Sequence, residues 1–208
     1  MGVRLTLHPE TPQQRFIRRA GEVLREGGVA IVPTDSSYAL VAEPRSKAAL
    51  ERIARLKRFH PERKLFSLLV PDLAEIATYA LVSNRAYRIL RHFLPGPYTF
   101  VLPASRQVPK VLQTKRKTIG LRVPDEPISR QVAREAGGAL LATTARLPDD
   151  EYPLADPDEI ERRLGPHVDL FLDHGWGGVV PTTLVDLSDG DEPVLLREGA
   201  GDPEPFRS

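Results

Sequence analysis

Five short stretches carry residue types that could work on an anion. In Pro33-Thr34-Asp35-Ser36-Ser37-Tyr38, hydroxyls and a carboxylate crowd a turn between two apolar runs. Such a turn presents side chains at a strand end, where α/β proteins often bind ligands. Asp35 and Ser36 are also ordinary turn formers, and turn-making alone accounts for them. Arg52, Arg55, Lys57, Arg58, Arg63 and Lys64, with His60, gather positive charge where a helix gives way to a Pro-containing loop. Cations suit a helix C-terminus, so this is either a solvated helix end or a loop that folds over a triphosphate. Arg122 interrupts the apolar pattern Ile119–Val123. An Arg there needs a partner, either an internal acid such as the nearby Asp125 or an anionic ligand. In Ala142-Thr143-Thr144-Ala145-Arg146, two hydroxyls and a guanidinium close an apolar run. They suit a phosphate, although Thr is also a good strand former. The fifth stretch pairs Pro181-Thr182-Thr183-Leu184-Val185-Asp186 with Arg197-Glu198-Gly199.

Other chemistries find no residues. There is no Walker GxxxxGK[ST], no GxGxxG and no GxSxG elbow. With no cysteine, disulfides, thiolate metal sites and a Cys nucleophile are excluded. The five histidines show no HxH or HxxxH spacing, so no built-in metal site is expected. Aromatic residues make up 6%, thin for base stacking, and no aromatic-plus-basic RNA motif appears. What is left is catalysis or binding by positioned charge.

The elements that must hold these residues are legible from periodicity and punctuation. Helices are expected over 13–26, 46–58 with Ser46 as N-cap, 73–79, 84–93, 128–136 and 156–164. Strands are expected over 29–33, 38–42, 65–70, 98–102, 118–123, 139–144, 168–172, 182–187 and 194–197. Interleaving predicts an α/β fold. The short link between 29–33 and 38–42 predicts a mixed rather than purely parallel sheet.

At 208 residues, 41% hydrophobic and 27% charged, the chain can bury a sizeable core. Its 20 prolines are dispersed, and no linker divides it, so residues 1–208 are expected to form one domain. The net charge of +1 hides a division: residues 1–134 hold 24 Lys and Arg against 11 Asp and Glu, and residues 135–208 hold 5 against 17. A basic body attracts polyanions such as ATP or RNA, while the acidic last third disfavours indiscriminate nucleic-acid binding. No apolar run is long enough to span a membrane, and the N-terminus lacks a secretory h-region. A cytoplasmic protein with no membrane partner is expected.

Taken in order, the motifs resemble the YrdC/YciO family. They are Gly28–Leu40, Leu56-Lys57, Leu94–Leu102, Ile119–Pro124, Ala142–Ala145, and Pro181–Asp186 followed by Arg197-Glu198-Gly199, so the match runs from about residue 13 to 201. Lys115–Gly120 and Thr11–Gln14 are most similar to the YciO-like branch. The resemblance implies a single YrdC-like α/β domain, a twisted mixed parallel and antiparallel sheet flanked by helices around a basic concave cleft. It implies synthesis of threonylcarbamoyl-AMP from L-threonine, bicarbonate and ATP, a nucleotidyl transfer that feeds tRNA modification. Mg²⁺ would arrive with ATP. By the match, Thr34 and Tyr38 would line the threonine side together with Thr143. Lys57, with Arg58, Arg63 or Lys64, would face carboxylate and phosphates. Arg122 would hold carboxylate or phosphate. Thr144, Arg146, Thr182, Thr183 and Arg197 would lie along the nucleotide. The synthases carry Lys-x-Arg, and here Lys57 is followed by Arg58 and Phe59. They carry Ser-Ala-Asn, and here Arg146 replaces the Asn. The alternatives are a protein that binds double-stranded RNA or tRNA, with affinity falling steeply in salt, or an adenylate-binding paralogue with altered, hydrolytic activity.

Overall fold

The computed structural model describes residues 2–58, 66–189 and 192–207. In chain order its main elements are β1 (Val3–Thr6), α1 (Gln14–Arg25), β2 (Val29–Val32), β3 (Ala39–Ala42), α2 (Lys47–Leu56), β4 (Ser67–Leu69), α3 (Ile76–Tyr79), α4 (Asn84–Phe93), β5 (Tyr98–Pro103), β6 (Thr118–Arg122), α5 (Pro127–Ala136), β7 (Leu140–Thr144), α6 (Pro157–Leu164), β8 (Leu170–Asp173), β9 (Thr183–Asp186) and β10 (Val194–Arg197).

Local chemistry sets the helix ends. The Ala49 N–H donates to Ser46 Oγ at the start of α2, and the Ala86 N–H donates to Ser83 Oγ at the start of α4. The Glu126 carboxylate accepts from the N–H groups of Ile128 and Ser129 and so caps α5. Gly137, at φ +98°, ends that helix in the left-handed region.

Among the described residues the strands form one sheet in the order β1-β8-β2-β3-β7-β4-β6-β5-β9-β10. It is mixed, as expected. β2 and β3 pair antiparallel, as do β3–β7, β4–β7, β5–β6 and β9–β10, while β1–β8, β2–β8, β4–β6 and β5–β9 are parallel. β1 was not expected: its four residues are short and only half-buried, and they become a strand through pairing with β8. The helix expected over 73–79 divides into a 3-10 turn at Leu73–Glu75 and the single α-turn of α3. The first residue of the strand expected over 65–70 lies outside the described residues.

Alternation along each strand sends side chains to two different faces. One face carries Ile31, Leu40, Leu68, Phe100, Leu121, Leu141 and Phe171, packed with Leu50 and Ile53 of α2, Leu90 of α4 and Ile160 of α6. The other face carries Ala30, Val32, Val41, Leu69, Leu140 and Leu172, covered by Ile17 and Leu24 of α1 and by Val132 and Ala133 of α5. α1 and α5 approach closely at Gly21, where a Cβ would fall 2.5 Å from the Glu135 Cβ. This second cluster takes no residue from β6, β5 or β9. Those strands present Gly120, Arg122, Thr99, Val101 and Leu184 on that side, and the uncovered stretch becomes a cavity.

Candidate functional site

The cavity has a volume of about 520 Å³, within the range of small-molecule sites. Its floor is a row of small residues on neighbouring strands. Ser67 of β4 pairs in register with Gly120 of β6 and with Ala142 of β7, and Ala39 pairs with Thr144. Small side chains on these central strands leave depth where larger ones would fill it.

Cations stand around that floor. Lys57 caps the C-terminus of α2, and its ammonium donates to the carbonyls of Thr144 (2.8 Å) and Arg146 (2.7 Å), tying α2 to the end of β7. Arg122 lies at the end of β6 and is buried. It donates from Nη2 to Asp35 Oδ1 at 2.7 Å and to Ser36 Oγ at 3.3 Å, while its buried Nε has no partner. Asp35 is thus the internal acid. Asp125, the nearby acid that the sequence offered as one alternative, is exposed, past the strand end, and gives Asp35 Oδ2 only its backbone N–H. Arg197 lies across the cavity and donates from Nε and Nη2 to the Thr182 carbonyl at 3.1 and 2.8 Å. Thr182 Oγ1 lies 2.7 Å from Thr99 Oγ1. Burial pushes the Arg122 guanidinium below the usual arginine range and Arg197 adds to that, against the opposing pull of Asp35. Burial and the charge of Arg146 push Arg197 the same way. These cations repel one another in a partly desolvated space, an arrangement that an anion relieves.

Lys57, Arg122, Thr143, Thr144, Arg146, Thr182 and Arg197 therefore line one cavity. The other sequence candidates sit elsewhere. Thr34 Oγ1 donates to the Ser37 carbonyl and shapes its own turn. Tyr38 turns to the opposite face, edge-on to Phe171, donating to the Gly175 carbonyl and accepting from the His174 N–H. That burial pushes its hydroxyl up to about 12. Thr183 is one residue out of phase with Thr182, so it points into the core and donates to the Gly201 carbonyl. Arg58 is exposed and paired with Asp149 at 2.9 Å. Arg63 and Lys64 lie outside the described residues. The sequence reading missed Thr99, Ser67, Gly120 and the mouth residues Glu151, Tyr152 and Val179. A signal for the first three existed, since they break the apolar alternation of their strands.

A family model described as "Telomere recombination" (Sua5, YciO and YrdC) matches residues 22–199. The chain belongs to the Sua5/YciO/YrdC family. Within it, the chain is 46% identical over 201 residues to the uncharacterized protein YciO of Escherichia coli K12, covering 96% of this chain and 97% of YciO. The crystal structure of E. coli YciO superposes with a TM-score of 0.93 over the whole of both chains. A protein of Halorhodospira halophila named threonylcarbamoyl-AMP synthase is 32% identical over 182 residues, covering 87% of this chain and 93% of that one. The P. abyssi Sua5 structure complexed with L-threonine has the same fold, at 24% identity and a TM-score of 0.89, over 98% of this chain and 59% of that one.

Proposed function

We propose that this chain makes threonylcarbamoyl-AMP from L-threonine, bicarbonate and ATP, releasing pyrophosphate. The observation that carries the reading is the cavity of about 520 Å³ whose wall gathers Lys57, Arg122, Arg146 and Arg197 around a floor of small residues. Family members named threonylcarbamoyl-AMP synthase support it, as does the L-threonine in the P. abyssi Sua5 structure.

The chemistry asks for what these residues supply. Threonine and bicarbonate lose water to give an N-carboxylate. One of its oxygens attacks the α-phosphorus of ATP, the bond from that phosphorus to the bridging oxygen breaks, and pyrophosphate leaves with the electron pair. Two anions must be held together and nearly in line, which is work for fixed cations and donors. Arg122, held in place by Asp35, sets a fixed cation in the cavity wall. The Thr144 and Thr182 hydroxyls and Arg197 line the nucleotide side. Mg²⁺ enters with ATP. The described lining is rich in cations and has a single carboxylate, Glu151, so the ion's ligands in this reading are phosphate oxygens and water. The mixed anhydride is then an activated acyl donor for an adenosine of tRNA.

The test is pyrophosphate release from ATP, measured with and without L-threonine and bicarbonate. The expected result is release that needs both and is lost in Lys57→Ala. Release indifferent to threonine would overturn the reaction, and full rate in the variant would overturn the site.

A further inference from the structure

Thr99 of β5 is buried in the cavity wall. β5 runs parallel to β9, with Thr99 opposite Leu184. Thr182 lies two residues before Leu184, so alternation puts both side chains on the cavity side. Thr99 Oγ1 and Thr182 Oγ1 meet there at 2.7 Å, both side chains buried. Thr is branched, so the place taken by its methyl decides where its hydroxyl goes. The Thr99 methyl lies over Gly120: a Cβ added at Gly120 would fall 3.1 Å from Thr99 Cγ2. Glycine at 120 makes room for the methyl and leaves Oγ1 facing Thr182.

Proton counting gives this bond a direction. Two hydroxyls carry two protons, and the bond between them uses one. Thr182 Oγ1 has two lone pairs, and one accepts from Arg197 Nη2 at 3.3 Å; an arginine only donates. When Thr99 donates into the second lone pair, Thr182 is full as an acceptor and its own O–H turns to the cavity. Among the described residues no protein group accepts that proton. An anionic oxygen of a ligand would. The reverse direction would turn a Thr182 lone pair toward the same anion, which repels it.

We propose that Thr99 is a positioning residue: its hydroxyl donates to Thr182 Oγ1 and so fixes the Thr182 O–H as a donor to an anionic oxygen of the substrate. This rests on the reading that an anionic substrate fills the cavity.

The experiment is calorimetric titration of the full chain with ATP and Mg²⁺ and, separately, with L-threonine. The variants are Thr99→Val, Thr99→Ser, Thr182→Val and the double Val variant; valine keeps the branched shape without the hydroxyl. Thr182→Val is expected to weaken one of the two ligands about tenfold or more, because a donor to a charged oxygen is lost. Thr99→Val should weaken that same ligand about threefold to tenfold and leave the other within about twofold. The double variant should bind no more weakly than Thr182→Val alone, since Thr99 acts through Thr182. Thr99→Ser keeps the hydroxyl and should bind within about twofold of the wild-type chain. Thr99→Ala repeats the cycle should Thr99→Val fail to fold. Several results overturn the proposal: a wild-type chain that binds neither ligand, no loss in Thr182→Val, or no loss in Thr99→Val. So do losses that add in the double variant, which would put the Thr99 hydroxyl itself on the ligand. A Thr99→Val loss larger than that of Thr182→Val does the same, since it reverses the bond. The fate of the reaction is separate. Redundant losses without threonine-dependent pyrophosphate release keep the positioning role and remove the synthase reading. Such release with additive losses does the reverse.

Discussion

The Arg122 guanidinium and the Asp35 carboxylate, 87 residues apart in the chain, meet at 2.7 Å with both side chains less than a tenth exposed. Asp35 also accepts the Asp125 N–H at 2.7 Å, so one carboxylate fixes both the strand-end Arg and the loop that follows it. The pair welds the turn after β2 to the end of β6 and aims a buried cation along the cavity wall.

Removing one partner of such a pair strands the other. Asp35→Asn is expected to lose about 3–5 kcal/mol of stability, because the Arg122 charge stays buried without its acid. Pyrophosphate should raise the unfolding free energy of Asp35→Asn more than that of the wild-type chain, since an anion then replaces the lost counter-ion. Urea denaturation with and without pyrophosphate checks both. An Asn variant as stable as wild type would show that the pair is not structural.

Gly178 tests how the cavity mouth is held. A Cβ there would lie 2.1 Å from the Ser36 carbonyl oxygen, so the loop bearing Val179 and Pro181 rests directly on the turn beside Arg122. Gly178→Ala should cost roughly 1–3 kcal/mol and weaken ATP binding, because either the turn or the loop must move. Gly137→Ala is the contrast. It has open space but φ +98°, so it should cost about 1 kcal/mol in backbone strain and leave ATP binding intact. Equal binding losses in the two variants would contradict this account.

Glu126 gives the stability a pH dependence. Burial raises its pKa above the ordinary Glu range, and the N–H groups of Ser129 and Ile128 only partly offset this. A carboxyl whose folded pKa lies above its unfolded one contributes stability below the unfolded value and loses it as pH rises through the folded value. Lowering the pH from neutral toward 5 should therefore raise wild-type stability relative to Glu126→Gln, apart from a constant offset for the altered helix cap. Denaturation curves of both proteins at the two pH values measure it, and parallel curves would contradict the burial argument.

What the sequence determined by itself was local. α4 begins and ends where its Ser83 cap and apolar spacing put it, and the β2–β3 hairpin follows from two apolar runs joined by a short turn. Lys57, Arg122, Thr144 and Arg146 stood out as charges or hydroxyls at element ends, and all four line the cavity. The tertiary structure decided the rest, because the deciding contacts are long-range. Val3–Thr6 is a strand only through β8, some 167 residues away. The partner of Arg122 proved to be Asp35 rather than the sequence neighbour Asp125. Thr182 and Thr183 look alike in the sequence, yet strand alternation sends the first to the cavity and the second into the core. The cavity exists because α1 and α5 cover one half of a sheet face and stop short of β6, β5 and β9. Strand order and helix docking are set by the burial of the whole core, and no local stretch of sequence carries that information.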